Sequence, residues 1–267
     1  MSETDTVYIF ESKTGVWREA SEFPIPNRAM NFGDGLFETM VFDGDKIRFF
    51  DFHLDRLRLG MDTLKIEGYS PAFAKLEDWI KDEFGGQRLR VRWNVFRSGA
   101  GKFTPENNDS VQTLHLQELS PVPLVKQQAS FSEQISLYPF PWSSCKTLNA
   151  LQYVLAAQEK KERGLDELIL MDYKGKVAEA SMANIFWRRG KKVFTPALEC
   201  GCITGVGRRA ILEKIPRLVT QGVFGSNELL SADQVWVSNA TGISYLEKIN
   251  SLEFSTEAWE PLDGIFD

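Results

Sequence analysis

The stretch from Lys176 to Arg209, KVAEASMANIFWRRGKKVFTPALECGCITGVGRR, constrains this chain more than any other part of it. Glu179 follows a turn and a short strand and lies in a run of small residues, Ala180, Ser181, Ala183 and Asn184. Ile185, Phe186 and Trp187 read as a second strand, Gly190 turns the chain toward Val193 and Phe194, and Thr195-Pro196 closes that strand. Gly205-Val206-Gly207 then opens a helix carrying Arg208, Arg209, Ile211 and Leu212. A carboxylate among small residues leaves room for a flat ligand beside it. A helix start bounded by glycines offers unpaired backbone N–H groups to a phosphate.

A flat ring and a phosphate a ring's width apart describe pyridoxal phosphate. The acidic residue, the small-residue run with Asn184, the Thr195-Pro196 step and the glycine-flanked turn together resemble the fold-type IV pyridoxal-phosphate enzymes. That family includes branched-chain and D-amino-acid aminotransferases and aminodeoxychorismate lyases. The resemblance runs from Asn27 to Leu246, with further anchors in NRAMNFGDGLFET (Asn27–Thr39), FHLDRL (Phe52–Leu57) and CKTLNALQ (Cys145–Gln152). It implies an α/β (α+β) fold of two domains: a small N-terminal α/β domain over 1–119, a linker at 120–126, and a larger cofactor-binding α/β domain over 127–267. It also implies a cofactor between the domains and a homodimer whose partner chain helps wall the substrate site.

Composition narrows the alternatives. A chain of 267 residues can bury a substantial core, and 43% hydrophobic with 25% charged residues is an ordinary globular balance. The net charge of −6 argues against a nucleic-acid binder but not against a local basic pocket for an anionic small molecule. No apolar run approaches the ~18 residues of a membrane helix, and the acidic, polar start is no signal peptide. Three cysteines form no disulfide framework, so a cytoplasmic protein with free thiols is expected. His53 and His115 lie far apart, and no metal-ligand spacing occurs; Cys200-Gly201-Cys202 alone is too little for zinc. Without a GxSxG elbow, a serine–histidine nucleophile is not expected.

Periodicity sets the elements. Val7–Phe10 and Val16–Trp17 read as strands about a Gly15 turn, Leu36–Phe42 as a strand, and Asp43-Gly44-Asp45 as a hairpin turn. Leu54, Leu57, Met61 and Leu64 mark one face of a helix, and Pro71 opens a second that Gly85-Gly86 ends. Arg88–Phe96 alternates as a half-buried strand, with Val111–Leu119 next and Ser120-Pro-Val-Pro123 as the linker. Strands are expected at Ile135–Tyr138, Leu168–Met171 and Gln234–Val237, a helix over Asn149–Arg163, and a loop over Ser238–Gly242.

The resemblance assigns the chemistry residue by residue. Lys146 matches the lysine that condenses with the cofactor aldehyde and then shuttles the substrate proton; its amine suits both tasks. Glu179 matches the carboxylate on the pyridine nitrogen, which makes the ring an electron sink. Arg56 matches the arginine that clamps the phosphate, a pairing suited to a guanidinium. Asn184 belongs to the same cofactor site, Val206 and Gly207 supply backbone N–H groups, and Thr241 completes the phosphate cup. Gly207 lacks the hydroxyl that aminotransferases often carry there, and Thr204 is the candidate to replace it. Arg97, in its Gly99-Ala-Gly101 loop, and Arg28 are candidates for a substrate carboxylate, with Thr39 and Asn239 as further substrate contacts. Gly205 to Ala210 also satisfies GxGxxA, but Leu198–Thr204 forms no convincing hydrophobic strand before it, so a dinucleotide fold is set aside.

Two activities remain. NRAMNFGDGLFET, NIFWRRGKKVFTP, Leu151 five positions after the lysine and Asn239 in SNATG lean toward the lyase branch, which converts 4-amino-4-deoxychorismate to 4-aminobenzoate and pyruvate. The segment GISYLEKI departs from the lyase pattern, and GDG-x-[FY]-E also occurs in D-amino-acid transaminases. An aminotransferase for D-amino or branched-chain amino acids is therefore the alternative. Either way the expected partner is an anionic amino substrate.

Overall fold

Strict alternation in β4 (Leu89–Arg97) shows how the first half of the chain is built. Leu89, Val91, Trp93 and Val95 are buried, whereas Arg90, Arg92 and Asn94 take the opposite face. A computed structural model of the chain describes residues 6–12, 14–20, 22, 23, 25–68, 73 and 75–267. They fall into two compact units, Met1–Ser120 with Cys145–Ala150, and Pro121–Ser144 with Leu151–Asp267. The sequence reading kept Lys146 within the 127–267 segment; in the structure the short stretch that carries it groups with the first unit.

The first unit holds β1 (Thr6–Glu11), β2 (Val16–Glu19), α1 (Arg28–Phe32), β3 (Gly35–Phe42), α2 (Phe50–Leu64), α3 (Leu76–Phe84), β4 and β5 (Ser110–Glu118). Its five strands run in the order β2-β1-β5-β4-β3, antiparallel throughout. On one face Leu36, Met40, Phe42, Val91, Trp93 and Val95 join Leu57 and Met61 of α2 and Ile80 of α3 in a single core. The expected helix opening at Pro71 lies outside the described residues; α3 itself begins at Leu76. β3 is the last strand of the sheet, and an uncovered edge would leave a row of backbone groups unpaired. Cys145–Ala150 covers it: Phe37 N donates to Lys146 O at 2.9 Å and Leu148 N to Gly35 O at 2.8 Å.

The second unit holds β6 (Val125–Leu137), α4 (Leu151–Glu162), β7 (Glu167–Asp172), β8 (Val177–Ala180), β9 (Asn184–Arg189), β10 (Lys192–Pro196), α5 (Val206–Lys214), β11 (Val219–Gly222), α6 (Ser226–Leu230), β12 (Gln234–Asn239), β13 (Gly242–Ile249) and β14 (Leu252–Glu253). Its nine-stranded mixed sheet runs β11-β10-β9-β12-β13-β6-β7-β8, with β14 on β13. Ile169, Ile185, Trp187, Val235, Val237 and Leu246 form one core, while Ala156 of α4 packs with Leu137, Leu168 and Leu170 in another.

Three departures from the sequence reading have physical causes. β6 spans thirteen residues rather than the four expected, because Lys126, Gln127 and Gln128 hide the strand behind polar side chains. Its pairing with β7 also shifts between Phe131 and Ser136, which breaks the alternation. Ser238–Gly242 is no open loop: β12 runs through Asn239 and β13 starts at Gly242, so the hairpin is tight. The segment GISYLEKI pairs on both sides, with β12 and β6, which is how an unpromising mixed sequence becomes a strand. Among the described residues no helix is long and apolar enough to cross a membrane.

Candidate functional site

Lys146 owes its position to the edge of β3. The two backbone bonds at Phe37 and Gly35 fix the lysine beside Phe37, and its Nζ lies 4.5 Å from the centre of that ring. The Arg92 guanidinium sits over the same ring at 4.0 Å. Phe37, Thr39 and Val41 of β3 stand in register with Asn94, Arg92 and Arg90 of β4, so this sheet face carries Thr39 directly across from Arg92. Arg92 donates its Nε to Asn94 at 3.0 Å, and no described carboxylate pairs with it. Burial, and then the neighbouring Arg90 charge, lower its pKa from the ordinary guanidinium value. A cation so placed gains from an anionic ligand. The sequence reading missed Arg92, although an arginine repeated on the polar side of a half-buried strand was visible.

Glu38 points to the opposite, buried side of β3 and was missed as well. It accepts from Arg56 Nε at 2.8 Å and from Arg56 Nη2, and its second oxygen lies 2.6 Å from His53 Nδ1. Burial by itself raises a carboxyl, but the charge and hydrogen bonds of Arg56, with His53 adding to them, hold Glu38 down at about 2. Burial lowers His53, outweighing the pull of Glu38, and the charges of Arg56 and Lys146 push in the same direction. The fitting state is a neutral imidazole donating from Nδ1, since the buried Nε2 has no partner among the described residues and a lone pair is cheaper to leave there than an N–H of a cation. Arg56, expected as a phosphate clamp, is thereby fixed on a core carboxylate by a bidentate pairing. A charged residue alternating with Leu36 and Met40 on a core face was the available signal, because such a group must be paired.

Arg97 and Arg28, the expected substrate arginines, stand elsewhere. Arg97 donates to Asp34 through Nε at 3.0 Å, to Lys65 O and Leu64 O at 2.8 and 2.7 Å, and also to Asn108 and the second Asp34 oxygen. All five of its N–H donors are spent. Arg28 donates to Asp34 at 2.7 Å and to the carbonyls of Lys102 and Phe103. Both are buried and tie the α1–β3 turn to neighbouring chain segments, an arrangement that leaves Arg97 no donor for a substrate.

In the second unit Glu179 is buried on β8. Tyr153 of α4 donates to its Oε1 at 2.5 Å, while Ile203 N and Asn184 Nδ2 donate to Oε2 at 3.1 and 3.3 Å. Burial, followed by the Glu179 charge, raises Tyr153, so its hydroxyl keeps the proton it donates. Tyr153 was not foreseen; it lies two positions beyond Leu151, which is exposed. Asn184 also donates to Ile203 O at 2.8 Å, holding the segment before α5. The helix itself starts at Gly205 with no side-chain cap, and Arg208 ties its first turn to Pro196 O and Gln221. Both glycines are steric necessities. A Cβ on Gly205 would lie 1.9 Å from Asn184 Oδ1, and one on Gly207 would lie 2.4 Å from Asn239 O and 2.6 Å from Ser238 Oγ. Thr241 donates its hydroxyl to Asn239 Oδ1 at 2.5 Å, and Asn239 in turn donates to Met182 O. Burial pushes Cys200 up to about 11 and Cys202 up to about 12, so both remain thiols rather than nucleophilic thiolates.

These residues fit a ring bearing a phosphate. The uncapped α5 start, cleared of side chains by its two glycines, is a cradle for an anion, and the triply anchored Glu179 carboxylate suits a heteroaromatic N–H. Among the described residues no group of three His, Cys, Asp or Glu side chains is arranged to hold a metal ion.

The buried Glu38–His53 pair carries a pH dependence. Both groups titrate lower when folded than their ordinary values of about 4.3 and 6.5, so the unfolded chain takes up their protons first. Their stability is complete above pH ~6.5 and drains away as pH falls toward about 2. Urea midpoints measured between pH 7 and 3 should fall steadily for the wild type. Glu38→Gln should be less stable at pH 7, by about 3–5 kcal/mol for a broken buried pair, yet flatter across this range. An unchanged slope in the variant contradicts the assignment.

Comparison with known proteins agrees with this geometry. The family described as Amino-transferase class IV matches residues 35–247. The aminodeoxychorismate lyase of Bacillus subtilis (strain 168) is 30% identical over 88% of this chain and 84% of its own. Among solved structures, the 4-amino-4-deoxychorismate lyase from Pseudomonas aeruginosa superposes with a TM-score of 0.77 at 23% identity, over 90% of this chain and 92% of that one. The branched-chain aminotransferase from the thermophilic archaeon Thermoproteus uzoniensis, solved with norvaline, superposes with a TM-score of 0.83 at 20% identity, covering 96% and 90%. A mixed α/β chain whose family match spans most of its length, from β3 through β13, is a member of the class IV aminotransferase family.

Proposed function

We propose that this chain is a pyridoxal-phosphate-dependent lyase that converts 4-amino-4-deoxychorismate into 4-aminobenzoate and pyruvate. The observation that carries the reading is the Phe37 ring with Lys146 Nζ at 4.5 Å and the Arg92 guanidinium at 4.0 Å. An amine suited to proton transfer and a cation without a described carboxylate partner share one aromatic surface. That matches a flat, dianionic amino substrate better than an aliphatic one.

In this reading the N–H groups of Val206 and Gly207, with the Thr241 hydroxyl, would hold the cofactor phosphate; in the first unit Arg56, fixed by Glu38, supplies a further guanidinium for an anion. Glu179, steadied by Tyr153, Asn184 and Ile203 N, holds the ring nitrogen. Lys146 would be the residue that holds the cofactor by its aldehyde end. When bound, the cofactor supplies the electron sink that makes loss of a carbon-bound proton feasible. The Lys146 amine would take the proton from the amine-bearing ring carbon. Arg92, with Thr39 across from it, orients a substrate carboxylate, the task first expected of Arg97 and Arg28. The enolpyruvyl oxygen leaves with its bonding electrons as the ring becomes aromatic, and protonation of the freed enolate at carbon yields pyruvate. No second substrate is needed, whereas transamination requires a keto acid as well.

Tyr138, Phe140, Trp142, Leu151 and Val154 of the second unit are exposed, with Phe140 stacked on Trp142 at 5.1 Å. So much apolar surface supports a homodimer as part of the same proposal. Free thiols at all three cysteines accord with a cytoplasmic setting.

Incubated with aminodeoxychorismate and no keto acid, the protein should release pyruvate and 4-aminobenzoate in equal amounts. Arg92→Gln should raise KM by roughly 10–100-fold, as expected for a lost charge-assisted bond, with cofactor binding unaltered. Silence with this substrate, together with amino transfer from D-alanine or a branched-chain amino acid to 2-oxoglutarate, moves the assignment to an aminotransferase. Sedimentation should give twice the chain mass of 30.3 kDa; a monomer at micromolar concentration contradicts the dimer.

A further inference from the structure

Ser238 stands near the end of β12, paired with Asn184 of β9 on one side and Ile243 of β13 on the other. It is only 1% exposed, and its hydroxyl has no hydrogen-bond partner among the described residues. Buried hydroxyls are nearly always satisfied, so this one requires a reason. Its surroundings supply one. The hydroxyl occupies the space that a side chain on residue 207 would take, 2.6 Å from where that Cβ would lie. Residue 207 belongs to the first turn of α5, a nine-residue helix whose start no side chain caps. The carboxamide of Asn184 across the ladder is no partner: its Nδ2 serves Glu179 and Ile203 O, and its Oδ1 makes no hydrogen bond with the Ser238 hydroxyl.

We infer that Ser238 is a phosphate ligand: its hydroxyl donates to the cofactor phosphate at the start of α5, in place of the side chain that Gly207 lacks. This rests on the pyridoxal-phosphate reading above. It supersedes the expectation that Thr204 makes up for the missing hydroxyl. The glycine and the serine are two halves of one exchange, since any Cβ at 207 would collide with both Ser238 Oγ and Asn239 O. Gly205-Val206-Gly207 therefore owes its pattern to two cross-strand side chains pressing on a helix start, not to a dinucleotide.

Ser238→Ala separates this role from a structural one, because removing an unsatisfied buried hydroxyl costs the unliganded protein nothing. Cofactor-free wild type and variant are titrated with pyridoxal phosphate, with pyridoxal, and with inorganic phosphate as competitor, and their thermal midpoints are compared. The variant should melt at or above the wild-type temperature. It should bind pyridoxal phosphate roughly 10–100-fold more weakly, the worth of one bond to a charged group. Inorganic phosphate should compete less well in the variant, while pyridoxal binds both proteins alike. Wild-type affinity for pyridoxal phosphate in the variant overturns the inference and leaves the cofactor reading intact. A lower melting temperature with equal losses for pyridoxal and its phosphate also overturns it, in favour of a packing role. Wild type that binds none of the three probes overturns both.

Discussion

The rest of the first unit's chemistry depends on how the open edge of β3 is closed. A sheet edge with unpaired N–H and C=O groups must find partners. Here the partner is Cys145–Ala150, six residues from the middle of the chain that pair with a strand begun at Gly35. Those backbone bonds, rather than any side-chain contact, place Lys146 against Phe37. The position is thus set by backbone bonds, which only a substitution that removes an N–H donor, such as proline at Phe37 or Leu148, would break. Strand alternation does the remainder: the same β3 sends Phe37 and Thr39 to the face shared with Arg92, and Glu38 to the face that holds Arg56.

Charge is partitioned with similar economy. Asp34 satisfies two arginines, Arg28 and Arg97, at the α1–β3 turn. Glu38 satisfies Arg56 and accepts a hydrogen bond from Nδ1–H of a neutral His53. Once these carboxylates are committed, Arg92 stands without a described acidic partner, half-buried beside a second cation source at Lys146. Burying a guanidinium is costly. A half-buried guanidinium without a described carboxylate partner is the reason the substrate carboxylate is proposed there.

Much of the second unit's candidate site was legible because it lies in one contiguous stretch. Glu179, Asn184 and the Gly205–Gly207 helix start follow each other within thirty residues, and strand and helix periods mark every step. Even there, Tyr153 escaped notice, since reaching Glu179 depends on how α4 packs on β6 and β7. The first unit was less readable. Arg97 and Arg28 look like ligand-binding arginines in a glycine-rich setting. Their acceptors, the carbonyls of Leu64, Lys65, Lys102 and Phe103, lie 32 to 75 positions away, beyond any local pattern. β6 was shortened for a related reason: a strand interior to a mixed sheet is stabilised by its neighbours' backbones, so its own polar residues gave no warning.

The most direct test of this account is borohydride reduction of the purified, cofactor-loaded protein followed by peptide mapping. Reduction should leave a pyridoxyl group on the peptide containing Lys146, the lysine held against Phe37 by the edge of β3. A pyridoxyl group on any other lysine, or none after saturation with pyridoxal phosphate, contradicts it.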